Sequence, residues 1–382
     1  MPKPRILIIE NSTHVTGALK SITRAAYNMQ SFFDFIYVIP KKSICGFWIK
    51  KNEFYEIHEL PMLELSRRFS SLILYIPLLV ANAFRLISII KQKRIALIHV
   101  NDVYNLIPVV VRLLGNSVPY VCHIRFMPDR FPIWIFKIWL KLHLRYAENI
   151  IVVSKSVLNL LPQHPKISMI YDGLPLKEVC LAEKTKFSSK PNFIFLYLSN
   201  FMVGKGQDLA LEAFSLVHEN LHNWKIRFVG SEMGLKKNID YIKKLRSRAE
   251  ELNIEAKIEW GEFANDVESE YRQADIVLNF SESESFSLTC LEALYYGKLL
   301  IAADCGGPSE IIDHGLTGIL VPNKNIKEMA KAMENMAIEL DKNYEMGFAA
   351  HKAVREKFSV EKTSCQIMDI YNQIIQPKLS VN

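Results

Sequence analysis

The sequence lacks most of the short motifs that announce metal and cofactor chemistry. There is no Cys-x-x-Cys pair, and the six scattered cysteines (45, 122, 180, 290, 305, 365) show no cysteine and histidine spacing of a zinc site. Those cysteines read as small buried hydrophobes in a reducing cytoplasm. No Gly-x-Gly-x-x-Gly follows the first apolar run Arg5–Glu10, which argues against a Rossmann dehydrogenase. Ser154 has no Gly-x-Ser-x-Gly around it, so it is not read as a nucleophile. An Asp-x-Asp is absent throughout, as are low-complexity tracts and internal repeats of solenoid period. Long apolar runs are missing too. Ile6–Ile9 ends at Glu10 and is too short for a secretory signal. Leu72–Phe84 contains Pro77 and Asn82 and stops at Arg85, whereas spanning a bilayer takes about 20 residues, so it reads as a buried amphipathic helix. No nucleic-acid motif is found, and the basic residues are spread out rather than run together.

What is present points to two α/β domains. A chain of 382 residues with 49% apolar and 23% charged residues has ordinary globular usage and room for two cores. Short β-branched runs at Arg5–Glu10, Phe32–Pro40, Ala96–Asn101, Val118–Ile124, Asn149–Ser154 and Ile167–Tyr171 alternate with helical stretches. After a linker between Leu174 and Asn192, a second series follows. Its strands are expected at Phe193–Leu198, Lys225–Gly230, Lys257–Gly261, Ile276–Phe280, Leu299–Ala303 and Gly318–Val321, with helices near 207–221, 236–253, 287–296 and 325–340. Two βαβ series predict two Rossmann-like domains, 1–185 and 186–360, each with its ligand edge at the strand C-termini. Charge is uneven: residues 1–185 carry 24 Lys+Arg against 12 Asp+Glu, the remainder 23 against 28. A basic first half suits an anionic membrane surface or an acidic substrate. Within it, Phe131–Tyr146 interleaves Trp134, Phe136, Trp139 and Leu140 with Lys137, Lys141 and Arg145, a pattern open to both an interfacial helix and a core helix with a solvated face.

Chemistry concentrates between Ser281 and Pro322. A strand ends near Phe280, a polar turn carries Glu284, and a helix starting near Ser287 carries Glu292 in its second turn. A helix start offers free N–H groups and a positive dipole end to a diphosphate, while carboxylates accept from sugar and ribose hydroxyls. Earlier, the loop Ser199–Gly206 holds Lys205, a compact ammonium suited to paired phosphates.

These residues resemble the donor site of the retaining GT-B glycosyltransferases, in particular glycosyltransferase family 4, the group 1 transferases. The resemblance rests on Glu284-x7-Glu292, Gly306-Gly307-Pro308-Ser309-Glu310 and Thr317-Gly318-Ile319-Leu320-Val321-Pro322 in that order. It implies two domains facing across a cleft, with a last helix in 361–382 returning to the first. It implies a nucleoside-diphosphate sugar as donor, transfer with retention, and no bound metal or cofactor. Carried over by position, Glu284, His123 and Lys205 would be catalytic. Gly17, Asn200, Lys205, Ser285, Phe286, Ser287, Leu288 and Glu292 would bind the donor, with Asn200 standing where the family has arginine. His99 reads as structural, and Asp172-Gly173 as turn chemistry. The expected reaction moves a hexose-type sugar from a UDP- or GDP-sugar to an acceptor hydroxyl, on a lipid-linked or surface-polysaccharide precursor. The enzyme would work in the cytoplasm or on the inner membrane face. A nucleotide-sugar epimerase of the same architecture and a basic scaffold protein are the competing readings.

Overall fold

The computed structural model describes residues 2–52, 55–62, 69–130, 132–179, 192–264, 266–340 and 343–379. The chain divides into two compact units, Met1–Pro175 with Phe358–Asn382, and Leu176–Lys357. The first unit contains strands β1 (Arg5–Ile9), β2 (Asp34–Pro40), β3 (Glu56–Leu60), β4 (Ile95–Val100), β5 (Tyr120–Ile124), β6 (Asn149–Val152) and β7 (Ile167–Met169). Its helices are α1 (Gly17–Met29), α2 (Cys45–Asn52), α3 (Phe69–Lys93), α4 (Ile107–Leu113), α5 (Ile133–Tyr146) and α6 (Lys155–Leu158). The second unit contains β8 (Phe193–Leu198), β9 (Trp224–Val229), β10 (Ile258–Gly261), β11 (Ile276–Asn279), β12 (Leu299–Asp304) and β13 (Ile319–Pro322). Between and after them lie α7 (Gln207–Ser215), α8 (Lys236–Glu251), α9 (Val267–Gln273), α10 (Leu288–Tyr295), α11 (Pro308–Ile311), α12 (Ile326–Ile338) and α13 (Tyr344–Lys357). The final helix, α14 (Val360–Leu379), belongs to the first unit.

Both sheets are parallel. Their orders are β3-β2-β1-β4-β5-β6-β7 and β10-β9-β8-β11-β12-β13. Each therefore reverses its direction of growth once, between β1 and β4 and between β8 and β11, and ligands of open α/β sheets bind at such reversals. Burial explains the apolar strands: Ile6, Leu7, Ile8 and Ile9 are all inaccessible because helices cover both faces. One strand escapes pattern reading. β3, Glu-Ile-His-Glu-Leu, is an edge strand paired only to β2, and its polar residues meet water there instead of a second neighbour.

Right-handed crossovers decide which helices share a face. Connections from β1 to β3 run one way along the sheet and those from β3 to β7 run the other. Accordingly α3 packs on α4 and α4 on α5, while α1 packs against α14. α3 is longer than the run that suggested it, extending through Pro77 to Lys93. Among the described residues no helix is long and apolar enough to cross a membrane. α5 buries Phe136, Trp139, Leu140 and His143, while Ile133, Trp134 and Ile138 are exposed.

The return to the first unit is fixed by backbone contact. Leu174 N–H donates to the Phe358 carbonyl and Val360 N–H to the Leu174 carbonyl, each at 2.9 Å. A Cβ on Gly173 would sit 2.3 Å from the Ser359 carbonyl oxygen, so only glycine lets the two segments lie this close. The division falls after Pro175, ahead of the expected 185/186 boundary, which lies outside the described residues. From α14, Ile367, Ile370, Tyr371 and Ile375 complete the first unit's core. Cys45, Cys122, Cys290 and Cys305 are buried as expected. Cys365 is exposed on α14, and Cys180 lies outside the described residues.

Candidate functional site

The second unit builds its site where β8 and β11 diverge. The loop leaving β8 lies against the loop leaving β11, and glycine makes that approach possible. Gly206 has φ +79°, and a Cβ there would fall 2.1 Å from the Phe280 carbonyl oxygen. Tyr197 bridges the two loops: its hydroxyl donates to the Lys205 carbonyl at 2.5 Å and accepts from the Phe280 N–H at 2.8 Å. Glu282 N–H donates to the Gly204 carbonyl at 3.0 Å. With its backbone held from both sides, Lys205 places Nζ 2.6 Å from Glu284 Oε1. Two residues 79 apart in sequence thus share one spot, each partly accessible, with side-chain exposures of 23% and 15%.

The glycine turn after β12 supports Glu284 from beneath. Glu284 N–H donates to the Cys305 carbonyl at 3.2 Å, and Gly307 N–H donates to the Glu284 carbonyl at 2.8 Å. A Cβ on Gly307 would lie 2.2 Å from Phe286 Cα, so the pair Gly306-Gly307 is needed for this contact. Ser287 caps α10 from an unusual backbone, φ +80°, its hydroxyl accepting from Cys290 N–H at 3.4 Å and from Asn279 Nδ2 at 3.2 Å. A non-glycine residue held in the left-handed region costs on the order of 1 kcal/mol and is retained where the surroundings over-determine it. Leu288 opens the helix, Ser285 and Phe286 lead into it, and Glu292 sits buried in its second turn. Burial pushes the Cys290 thiol up to about 12 and raises that of Cys305 as well, which keeps both neutral beside this cluster.

Asn200 does something other than replace an arginine's charge. Its side-chain oxygen accepts from Ser231 N–H at 3.3 Å, and its carbonyl accepts from Gln207 Nε2 at 3.0 Å, tying the β8 loop to the β9 loop.

In the first unit, Gly17 is the first residue of α1, whose N-cap Thr16 accepts from Leu19 N–H. His123 lies on β5, fully buried, inside a polar network absent from the sequence reading. Arg125 donates to Asp172 at 2.8 and 2.9 Å and to Asn101 Oδ1 at 2.5 Å. Asn101 donates to Glu10 Oε2 at 2.5 Å, and Ser21 donates to Asp172. Glu10, Asn101 and Arg125 each directly follow a strand, so a polar residue closing an apolar run was the available signal. Asp172, taken as turn chemistry, is the buried partner of Arg125.

This network fixes a tautomer. Arginine can only donate, so Arg125 Nη2, 3.2 Å from His123 Nδ1, makes that nitrogen an acceptor. His99 Nε2, at 3.3 Å from the same nitrogen, must then donate, and His99 Nδ1 accepts from the Tyr371 hydroxyl at 2.6 Å. The remaining proton of neutral His123 is on Nε2, which is buried and has no hydrogen-bond partner. Burial, with Arg125 behind it, lowers His99 to about 3; burial, Arg125 and His99 hold His123 well below the usual range; burial brings His143 to about 4. Each is depressed relative to the unfolded value near 6.5, so the unfolded chain binds more protons and stability falls with pH below about 6.5. The slope approaches, as an upper limit, about 1.4 kcal/mol per pH unit for each buried imidazole near pH 5, where the unfolded chain is protonated and the folded one is not. Urea midpoints unchanged between pH 7 and pH 5 would contradict this.

Two reversal points, one bearing a lysine, a carboxylate and a capped helix start, define a doubly wound α/β protein whose second sheet gathers these groups where open α/β sheets bind their ligands. The family model of glycosyl transferases group 1 matches residues 182–352, and that of glycosyltransferase family 4 matches residues 52–178. Two glycosyltransferase family models thus match successive parts of the chain and together take in most of it. An alpha-1,3/1,6-mannosyltransferase of Dictyostelium discoideum is 28% identical over 177 residues, 43% of this chain and 42% of that protein. An N-acetyl-alpha-D-glucosaminyl L-malate synthase of Bacillus anthracis is 26% identical over 243 residues, 60% of this chain and 61% of that one. The chain thus spans about half the length of the curated relatives it matches. Anabaena HepE, crystallised with UDP and glucose, superposes with a TM-score of 0.80 at 20% identity, over 95% of this chain and 98% of its own. At that identity the likeness establishes the fold, GT-B.

Proposed function

We propose that this protein transfers a hexose-type sugar from a nucleoside-diphosphate sugar to an acceptor hydroxyl, with retention at the anomeric carbon. The observation that carries the reading is the Lys205–Glu284 pair at 2.6 Å beside the capped start of α10. Lys205 and the first N–H groups of α10 receive the diphosphate and stabilise the charge that grows on it as the glycosidic bond breaks. Glu284, released from Lys205 when the diphosphate arrives, accepts from sugar hydroxyls, with the Ser285–Ser287 backbone beside it. Glu292 takes the ribose hydroxyls. In the first unit, His123 on β5 and Gly17 at the start of α1 are the residues assigned to the transfer by position. The reading calls for no cofactor or metal besides the donor. HepE crystallised with UDP supports a uridine donor; a GDP-sugar is the other candidate. The basic first unit supports a lipid-linked or polysaccharide-precursor acceptor and work at the inner face of a membrane.

A thermal-shift comparison of UDP, GDP and ADP tests the donor site. A ligand at 100 times its Kd stabilises the native state by about 2.7 kcal/mol, so one of the three is expected to raise Tm by several degrees. No shift with any of them, and no sugar transfer in the presence of acceptor extracts, would end the reading.

A further inference from the structure

The basic charge of the first unit does not reach every part of its ligand edge. Where its sheet reverses, between β1 and β4, Tyr75, Leu78, Leu79 and Asn82 of α3 enclose a small recess with Asn11 and Asn105. Asn11 follows β1 and Asn105 follows β4. Among the described residues, no lysine, arginine, histidine, aspartate or glutamate lines it. The surrounding half-chain carries 24 Lys+Arg against 12 Asp+Glu, so an uncharged recess is not what its composition supplies. The free space is about 30 Å³, room for one or two water-sized groups.

The fold orders the polar atoms around this space. Ile107 N–H can only donate, so its 3.0 Å contact makes Asn105 Oδ1 the acceptor and turns Asn105 Nδ2 to Asn11 Oδ1 at 2.7 Å. Asn11 Nδ2 keeps both hydrogens and has no partner among the described residues. Asn82 is engaged at both ends, donating Nδ2 to the Pro61 carbonyl at 3.0 Å and accepting from Arg85 Nη1 at 3.1 Å. Tyr75 donates to the Tyr104 carbonyl at 3.3 Å, and burial pushes its phenol up to about 12, which keeps it neutral. Next to Asn11 in the chain stands Glu10, 2% exposed, whose carboxylate accepts from Ser12 and Asn101. An anion entering the recess would lose its hydration near that carboxylate and find no cation in the wall, which is strongly unfavourable.

We infer that the recess is a subsite for one hydroxyl-bearing arm of an uncharged glycan, and that it refuses phosphate and carboxylate groups. A hydroxymethyl group meets the requirements: its oxygen accepts from Asn11 Nδ2, its methylene lies on Leu78 and Leu79, and its size matches the space. In the proposed transfer reaction, on which the role of this subsite rests, the arm belongs to the acceptor.

Saturation-transfer NMR on the full chain tests this, with the methyl α-glycosides of glucose, mannose and galactose as neutral probes and glucose-6-phosphate as the anionic one. At least one glycoside should receive saturation, and glucose-6-phosphate about tenfold less. Asn11→Ala removes one hydrogen-bond donor and should weaken the glycoside about three- to tenfold. Leu79→Trp fills the recess and should abolish the signal. Both variants should keep the wild-type thermal shift with whichever nucleoside diphosphate binds, which shows them folded. A glycoside signal that survives Leu79→Trp, or that Glu284→Gln removes, would place the probe elsewhere and overturn the inference. So would glucose-6-phosphate bound as well as the glycosides, or no glycoside bound at all. A chain that binds a glycoside in the recess yet shifts with no nucleoside diphosphate would keep the subsite and remove the transfer reading.

Discussion

Replacing Lys205 with alanine is expected to lower kcat by about 10²–10³, the usual cost of removing one preorganised group aimed at developing charge. The substitution also removes the cation 2.6 Å from Glu284, yet folding should change little, because pairs this accessible contribute about 0–1 kcal/mol. The two partners are then distinguished by binding. Lys205→Ala should weaken the nucleoside diphosphate itself if the lost charge is the one proposed to meet the phosphates. Glu284→Gln removes a carboxylate near the diphosphate, so affinity for the nucleotide should hold or improve while transfer falls by a similar factor. Isothermal titration and initial rates on the two variants suffice. Wild-type turnover in Lys205→Ala, or equal loss of nucleotide affinity in both, would remove the assignment of an exchanging pair.

The second large effect is on folding. Arg125 and Asp172 face each other with side-chain exposures of 3% and 7%, and Arg125→Ala would leave a carboxylate buried without its cation. Breaking such a pair on one side costs about 3–5 kcal/mol, whereas replacing both partners with apolar residues of similar size is often neutral. Urea unfolding should therefore show Arg125→Ala strongly destabilised and the double variant R125M/D172L restored to near the wild type. Because Arg125 also sets the acceptor nitrogen of His123, the double variant should fold yet transfer poorly. A double variant no better than the single one would show that the network acts through something besides the buried charge.

Much of this protein was legible in its sequence for a simple reason. Parallel strands covered on both faces must be apolar throughout, so runs such as Ile6–Ile9 and Ile276–Leu278 mark themselves, and the turn glycines between them are read with equal ease. The motif Gly306-Gly307-Pro308 was visible because its cause is local in backbone terms: Gly307 has no room for a side chain beside Phe286. Strand β3 was not visible, since an edge strand of Glu, Ile, His, Glu and Leu carries the polarity of a loop. Neither was the polar network, because a residue's partner is invisible when it comes from another strand: Glu10, Asn101, Arg125 and Asp172 meet only once β1, β4, β5 and β7 lie in one sheet.

By itself, then, the sequence determined the two sheets and the glycines on which the loops turn, and it singled out Lys205, Glu284 and Glu292 as candidates. Those follow from burial and backbone sterics, which act over a few residues. The tertiary structure alone decided that Lys205 reaches Glu284, that Asn200 serves a neighbouring loop, and that Arg125 sets the acceptor nitrogen of His123 and through it the proton of His99. Hydrogen bonds and ion pairs fall off within a few ångströms, so they are settled by which chain segments the fold brings into contact, and distance along the sequence carries no record of that.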